Sequence, residues 1–231
     1  MTEILLGEEK KEEQLKDQVE SIFVEVIKKP EITEALDLLD KLPSNLTYHN
    51  KDHTLDVIKE TILFALGNGL GLETYFSETL EHLAIAAAWH DVGYLDDPKN
   101  HEANSVKRFE ESKTYKKLSD EARREIVSNI LDTKIVITNG TPNIIQAKSK
   151  WGYILDADVS NFGRDDFLSN SSKVVAELNI NLNDIETKKK FLKFTIDLLK
   201  NQEWKTESAR RMRQAKKEEN IKSMEEEYAT L

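Results

Sequence analysis

From Leu83 to Trp89 the chain runs Leu-Ala-Ile-Ala-Ala-Ala-Trp without a polar side chain, then sets His90 beside Asp91 just before Gly93. Alanine and leucine favour helix, and a helix that is apolar on all faces has to be enclosed by protein. The run is far shorter than the ~20 residues that cross a bilayer. It therefore predicts the central helix of a globular fold, over about Ser77–Trp89. Two ionisable groups at the end of such a helix either occupy a solvated turn or are buried with partners or a metal, because an unpaired buried charge is costly.

The remaining sequence reads as helices arranged around this one. Leu15, Val19, Ile22, Phe23 and Val26 recur at helical spacing in an opening helix to Lys29 that Pro30 closes, and a short helix follows at about Thr33–Leu42. Another bears Leu55, Ile58, Ile62 and Leu66 and ends at the Gly67–Gly71 loop. Helices are also expected near 101–112, 119–132, 143–159, 164–179, 183–202 and 203–228, with Lys134–Thr138 the only strand-like run. Only 8 Gly and 4 Pro interrupt 231 residues. The expectation is one all-α domain, a helical bundle in which 1–42 packs onto a body formed by 43–231.

Composition removes several classes of function. With 39% hydrophobic and 33% charged residues the chain is too apolar for disorder and too polar for a membrane protein. It has no cysteine, which excludes disulfides, thiolate catalysis and Cys-ligated metals. No apolar segment follows a basic start, so no secretory signal is read and the cytoplasm is the expected compartment. Against 43 Asp+Glu there are 33 Lys+Arg, a net charge of −10 that repels a DNA or RNA polymer. A small phosphorylated substrate stays compatible, since a bound metal sets the local field.

The five histidines carry most of the chemical information. His49 and His53 are four residues apart at a helix start, His90 precedes Asp91, His101 precedes Glu102, and His82 stands alone. Imidazole with carboxylate suits Mn, Fe, Zn, Co or Mg. A further acid is picked by helix geometry. Trp151, Ile154 and Leu155 precede Asp158 by seven, four and three residues, so Asp158 shares their apolar face. Asp156 points elsewhere and is expected in solvent or behind the ligands.

The order His53, His90-Asp91, Asp158 resembles the HD superfamily of metal-dependent phosphohydrolases, all-α proteins with an H…HD…D signature. Tyr48-His-Asn-Lys-Asp-His53 is similar to the YHNxxH motif of many HD hydrolases, class I cyclic-nucleotide phosphodiesterases among them. His90-Asp-Val-Gly-Tyr94, His101-Glu-Ala-Asn-Ser105 and Asp156-Ala-Asp-Val-Ser-Asn-Phe-Gly-Arg164 also resemble a small bacterial group of HD phosphohydrolases, some of which neighbour nucleotide-cyclase modules. The resemblance covers about residues 45–220.

It implies one divalent metal held by His53, His90, Asp91 and Asp158, with Asp91 bridging if a second ion binds. His49 would be the general acid on the leaving oxygen, and the substrate would be a small phosphomono- or diester, a nucleotide or cyclic nucleotide. An HD module that binds metal and nucleotide without turnover is the alternative. Where (p)ppGpp hydrolases carry an acidic pair, this chain has Tyr94 and Leu95, and the histidine-rich second site of the HD-GYP and di-iron enzymes has only His101 to supply it. Asp96 and Asp97 follow the HD pair at a spacing unlike that of the deoxynucleotidases. Arg164, Lys134 and His101 are candidate substrate contacts, with a surface arginine the equal reading for Arg164. Glu102 reads as a first-turn helix acid. Arg210, Arg211, Arg213, Lys216 and Lys217 read as a helix face paired with glutamates. The sequence leaves the oligomeric state open.

Overall fold

The computed structural model describes residues 2–70, 76–138, 141–144 and 149–231. Eleven α-helices make up the bundle among these residues: α1 (Thr2–Val26), α2 (Pro30–Leu39), α3 (Lys51–Gly67), α4 (Phe76–Trp89), α5 (His101–Glu111), α6 (Lys113–Lys117), α7 (Asp120–Asp132), α8 (Tyr153–Asp158), α9 (Phe167–Glu177), α10 (Ile185–Asn201) and α11 (Glu207–Ala229). An antiparallel hairpin of β1 (Ile135–Thr138) and β2 (Thr141–Ile144) lies between α7 and α8. No helix among the described residues is long and apolar enough to cross a membrane.

Helix α4 is the centre, with every residue from Leu83 to Trp89 fully buried. Its alanines let α2, α3, α7 and α8 pack directly against it. Trp89 anchors the far end, packing edge-on to Phe109 at 5.5 Å and donating its indole N–H to the Glu31 carbonyl at 3.2 Å. Helix α1 lies on α3, and α10 pairs with α11.

Two local devices aim the ends of these helices. Asn50 caps α3, its Oδ1 accepting from the backbone N–H groups of Asp52 (2.9 Å) and His53 (3.2 Å), so the first turn that carries His53 is held. At the other end of the core, Ser105 Oγ donates to the His90 carbonyl at 2.6 Å and accepts from Gly93 N–H at 2.8 Å. A Cβ on Gly93 would lie 2.0 Å from the His101 carbonyl oxygen and 2.5 Å from the Ser105 nitrogen. Only glycine permits that approach, and it brings His101 and Glu102 against the end of α4.

Several sequence expectations are corrected. Pro30 does not close the first helix but opens the second, where its missing N–H costs nothing and its fixed φ suits helix. The helix expected over 143–159 is not continuous: β2 occupies its start and α8 begins only after Gly152, whose φ of 67° is left-handed. The hairpin had a signal in the sequence. Asn139-Gly140 between β-branched runs is a strong two-residue hairpin cue. Residues 71, 139–140 and 145–148 of the expected loops and helix lie outside the described residues.

Candidate metal and catalytic site

His53 comes from the first turn of α3, His90 from the residue after α4, and Asp158 from the last residue of α8. One ligand atom from each lies within 4.8 Å of the others, so the three form a group that can hold a metal ion. His53 Nε2 is 3.0 Å from Asp158 Oδ1, and His90 Nε2 is 3.5 Å from the same oxygen. Asp91 borders the group, its Oδ2 3.2 Å from His90 Nε2 and 3.6 Å from His53 Nε2.

The fit of this set to a cation is tested by what the buried atoms lack. His90 Nδ1 donates to the Ala87 carbonyl at 2.7 Å, which leaves Nε2 as the atom facing the carboxylates. Neither His90 Nε2 nor Asp91 Oδ2 has a hydrogen-bond partner, and both residues are almost fully buried. The two atoms face each other at 3.2 Å without forming a hydrogen bond, and a divalent cation between them would satisfy both. The acid–base balance agrees. Burial opposes a charge on His90, yet the negative charge of Asp91 and Asp158 raises its pKa well above the ordinary value. Burial likewise opposes ionisation of Asp91 and Asp158, but His90 beside the first and the His53 hydrogen bond to the second hold both carboxyls far below the usual range.

His49 sits beside this group and is built in by a residue that sequence reasoning missed. Glu177, the last residue of α9, accepts from the backbone N–H groups of Tyr48 (2.9 Å) and His49 (3.0 Å) through Oε2, and its Oε1 is 2.5 Å from His49 Nδ1. Burial lowers the His49 pKa, but the hydrogen bond to Glu177 and the charges of Asp91, Glu177 and Asp158 raise it on balance. With Nδ1 donating to Glu177, Nε2 is the nitrogen free to give up a proton. Tyr94 stacks on His49 at 4.5 Å and lies tilted against His101 at 4.3 Å, with His49 and His101 6.2 Å apart, so the three rings cluster at the site. Nothing in the sequence linked Glu177 to His49, because the pair is 128 residues apart.

The other candidates divide. His101 joins the site, its Nε2 3.7 Å from Asp91 Oδ1 and 3.6 Å from Glu102 Oε1. Glu102 is in the first turn of α5 as expected, but it is buried, and its Oε2 lacks a hydrogen-bond partner while Lys134 Nζ stands 3.8 Å away. Lys134 thus reaches the edge of the site. Arg164 does not offer a free guanidinium: it bonds Asp56 at 2.9 Å and Asp166 at 2.9 Å and 3.0 Å, with Glu60 at 3.7 Å. Asp96 is taken by Arg108, and Asp97 caps a short turn. The basic cluster on α11 is mostly ion-paired, but Arg211 and Lys217 instead donate to the carbonyls of Gly67 and Gln202.

Asp156 is corrected most clearly. It is fully buried and faces the α10–α11 connection, accepting from Lys205 N (2.9 Å), Thr206 N (2.7 Å) and Thr206 Oγ1 (2.8 Å). Burial raises its pKa to about 6 against those donors. Asp156→Ala would leave these donors unpaired and should cost about 3 kcal/mol, read as a lower denaturant midpoint, with metal content unchanged. Loss of metal without loss of stability would return Asp156 to the site.

Comparison with protein-family models, curated proteins and solved structures gives no match for this chain.

Proposed function

We propose that this chain is a metal-dependent phosphohydrolase acting on a small phosphoester. The observation that carries the reading is the pairing of two features. His90 Nε2 and Asp91 Oδ2 are buried beside His53 and Asp158 without a hydrogen bond, and His49, its pKa raised, is held next to them by Glu177. A divalent cation held by His53, His90, Asp158 and Asp91 would polarise a phosphoryl oxygen and lower the pKa of water toward ~7.

The protein's own residues supply the rest. Asp91 and Asp158 provide the negative charge that attracts the cation, and the Ala87 carbonyl fixes which nitrogen His90 presents. As water oxygen bonds to phosphorus and the ester P–O bond breaks, His49 Nε2 delivers its proton to the departing oxygen. Glu177 favours the imidazolium form of His49, in which Nε2 still carries a proton while Nδ1–H bonds the carboxylate, and Tyr94 stacks on the ring.

The test is phosphate or alcohol release from monophosphates, cyclic nucleotides, dinucleotides, nucleoside triphosphates and an aryl phosphodiester, under Mn²⁺, Mg²⁺ and Co²⁺. Turnover that disappears in both His90→Ala and Asp91→Ala supports the reading. Silence over the whole panel from metal-loaded protein overturns it and leaves a metal-binding sensor.

A further inference from the structure

Tyr48, His49 and Asp158, which belong to or border the site, also line one end of a cavity of about 580 Å³. That volume falls within the range of pockets for small organic ligands. Beyond these three residues the walls are mostly apolar, with Phe162, Phe167, Leu178, Phe191, Phe194 and Leu198 among them, and Asn161, Ser171, Thr187, Lys190 and Thr195 as the polar exceptions. Phe162 and Phe167 meet edge to face at 6.3 Å. Leu178 is 62% exposed and Phe194 38% exposed, so apolar surface continues from the reacting end to solvent.

The chemistry of the walls selects among phosphoesters. Lys190 is the only Lys or Arg among the described lining residues, and the guanidinium of Arg164 is spent on Asp56 and Asp166. A second or third phosphate would need several cations or N–H donors that these walls lack. Reading a nucleobase edge calls for a set of donors and acceptors. The Thr195 hydroxyl already donates to the Phe191 carbonyl, and Asn161, Ser171 and Thr187 are the other uncharged polar side chains of the lining beyond Tyr48 and His49. The polar lining residues are few and scattered among the apolar ones, which suits a ligand that is mostly carbon beyond its phosphate.

We infer that the substrate is a phosphoester with an extended apolar group, an alkyl or acyl chain, which fills this cavity while its phosphate meets His49 and the metal-ligating residues. The inference rests on the phosphohydrolase reading and deepens it. Hydrolysis breaks the P–O bond, and water supplies the oxygen that phosphorus gains. A monoester yields inorganic phosphate and an alcohol whose oxygen receives the His49 proton. A diester yields a monoester and an alcohol.

The experiment is a homologous series from ethyl to decyl, as n-alkyl phosphates and n-alkyl 4-nitrophenyl phosphodiesters, kept below micelle concentrations with saturating Mn²⁺. The full chain, Phe194→Ser and Leu178→Ser are compared, and binding of the matching alkylphosphonates is followed by calorimetry. Both substitutions are at partly exposed positions, and unchanged melting curves verify folding. The expected result is a kcat/KM that rises about three- to fourfold per methylene until the cavity is full, with the slope flattened in both variants. Hydrolysis that is independent of chain length, or nucleotides turned over faster than decyl esters, overturns the apolar substrate and keeps the phosphohydrolase. Chain-length-dependent phosphonate binding without any hydrolysis keeps the cavity's ligand and overturns the enzyme. Neither hydrolysis nor graded binding overturns both.

Discussion

A His90→Ala protein is expected to gain no thermal stability from Mn²⁺, whereas the native protein gains about 4 kcal/mol at a thousandfold excess over the dissociation constant. For a chain of this size that is a rise of about 10 °C in melting temperature. The residue decides the outcome because its Nε2 is the buried atom that faces Asp91 and Asp158 with no other partner. Removing it leaves two carboxylates without the imidazole between them, so the metal-free variant should also be less stable, by about 3 kcal/mol. Hydrolysis should fall on the order of 10³-fold, the worth of several kcal/mol of charge stabilisation.

The pH dependence has two opposite parts. In the metal-free protein the His90 pKa is raised, so its contribution to stability is complete below the unfolded value of ~6.5 and is lost as pH climbs through the folded value. Metal binding must expel that proton, so affinity should strengthen as pH rises, with proton release visible in buffers of different ionisation enthalpy. An equal melting shift in native and His90→Ala proteins would rule out this metal centre.

His49→Gln should retain the metal and lose on the order of 10²–10⁴ in kcat, the usual worth of a general acid. Glu177→Gln separates chemistry from packing. The neutral amide can still accept from the Tyr48 and His49 backbone, but it no longer raises the His49 pKa. A group whose pKa is raised keeps its proton to higher pH, so the basic limb of the kcat/KM profile should move to lower pH in the variant. Melting temperature and metal content report on packing and should change little. A basic limb that stays in place with reduced kcat would make Glu177 a purely structural residue and remove His49 as the proton donor.

How much of the site was legible depended on the range of the interaction that makes it. Asp158 was picked by sharing a helical face with Ile154 and Leu155, and it does lie beside His53 and His90. The same geometry misplaced Asp156, because angle around a helix separates faces without saying which of them meets protein, and the α10–α11 connection buries the second face. Glu102 looked like an ordinary first-turn acid until the close approach at Gly93 pressed α5 onto the end of α4.

The sequence by itself determined the all-α architecture, the buried α4 and the face of α8 on which Asp158 lies. These follow from spacing along one chain segment: 3.6-residue periodicity, an apolar run, and polar residues that cap. Only the tertiary structure decided which partners the ionisable groups meet. Glu177 reaches His49 across 128 residues, Arg164 turns to Asp56 across 108, and an apolar cavity opens where α9 and α10 face the site. Helical period sets a direction for each side chain, but contact between helices depends on how their axes pack. That packing is a property of the whole core, and no local pattern encodes it.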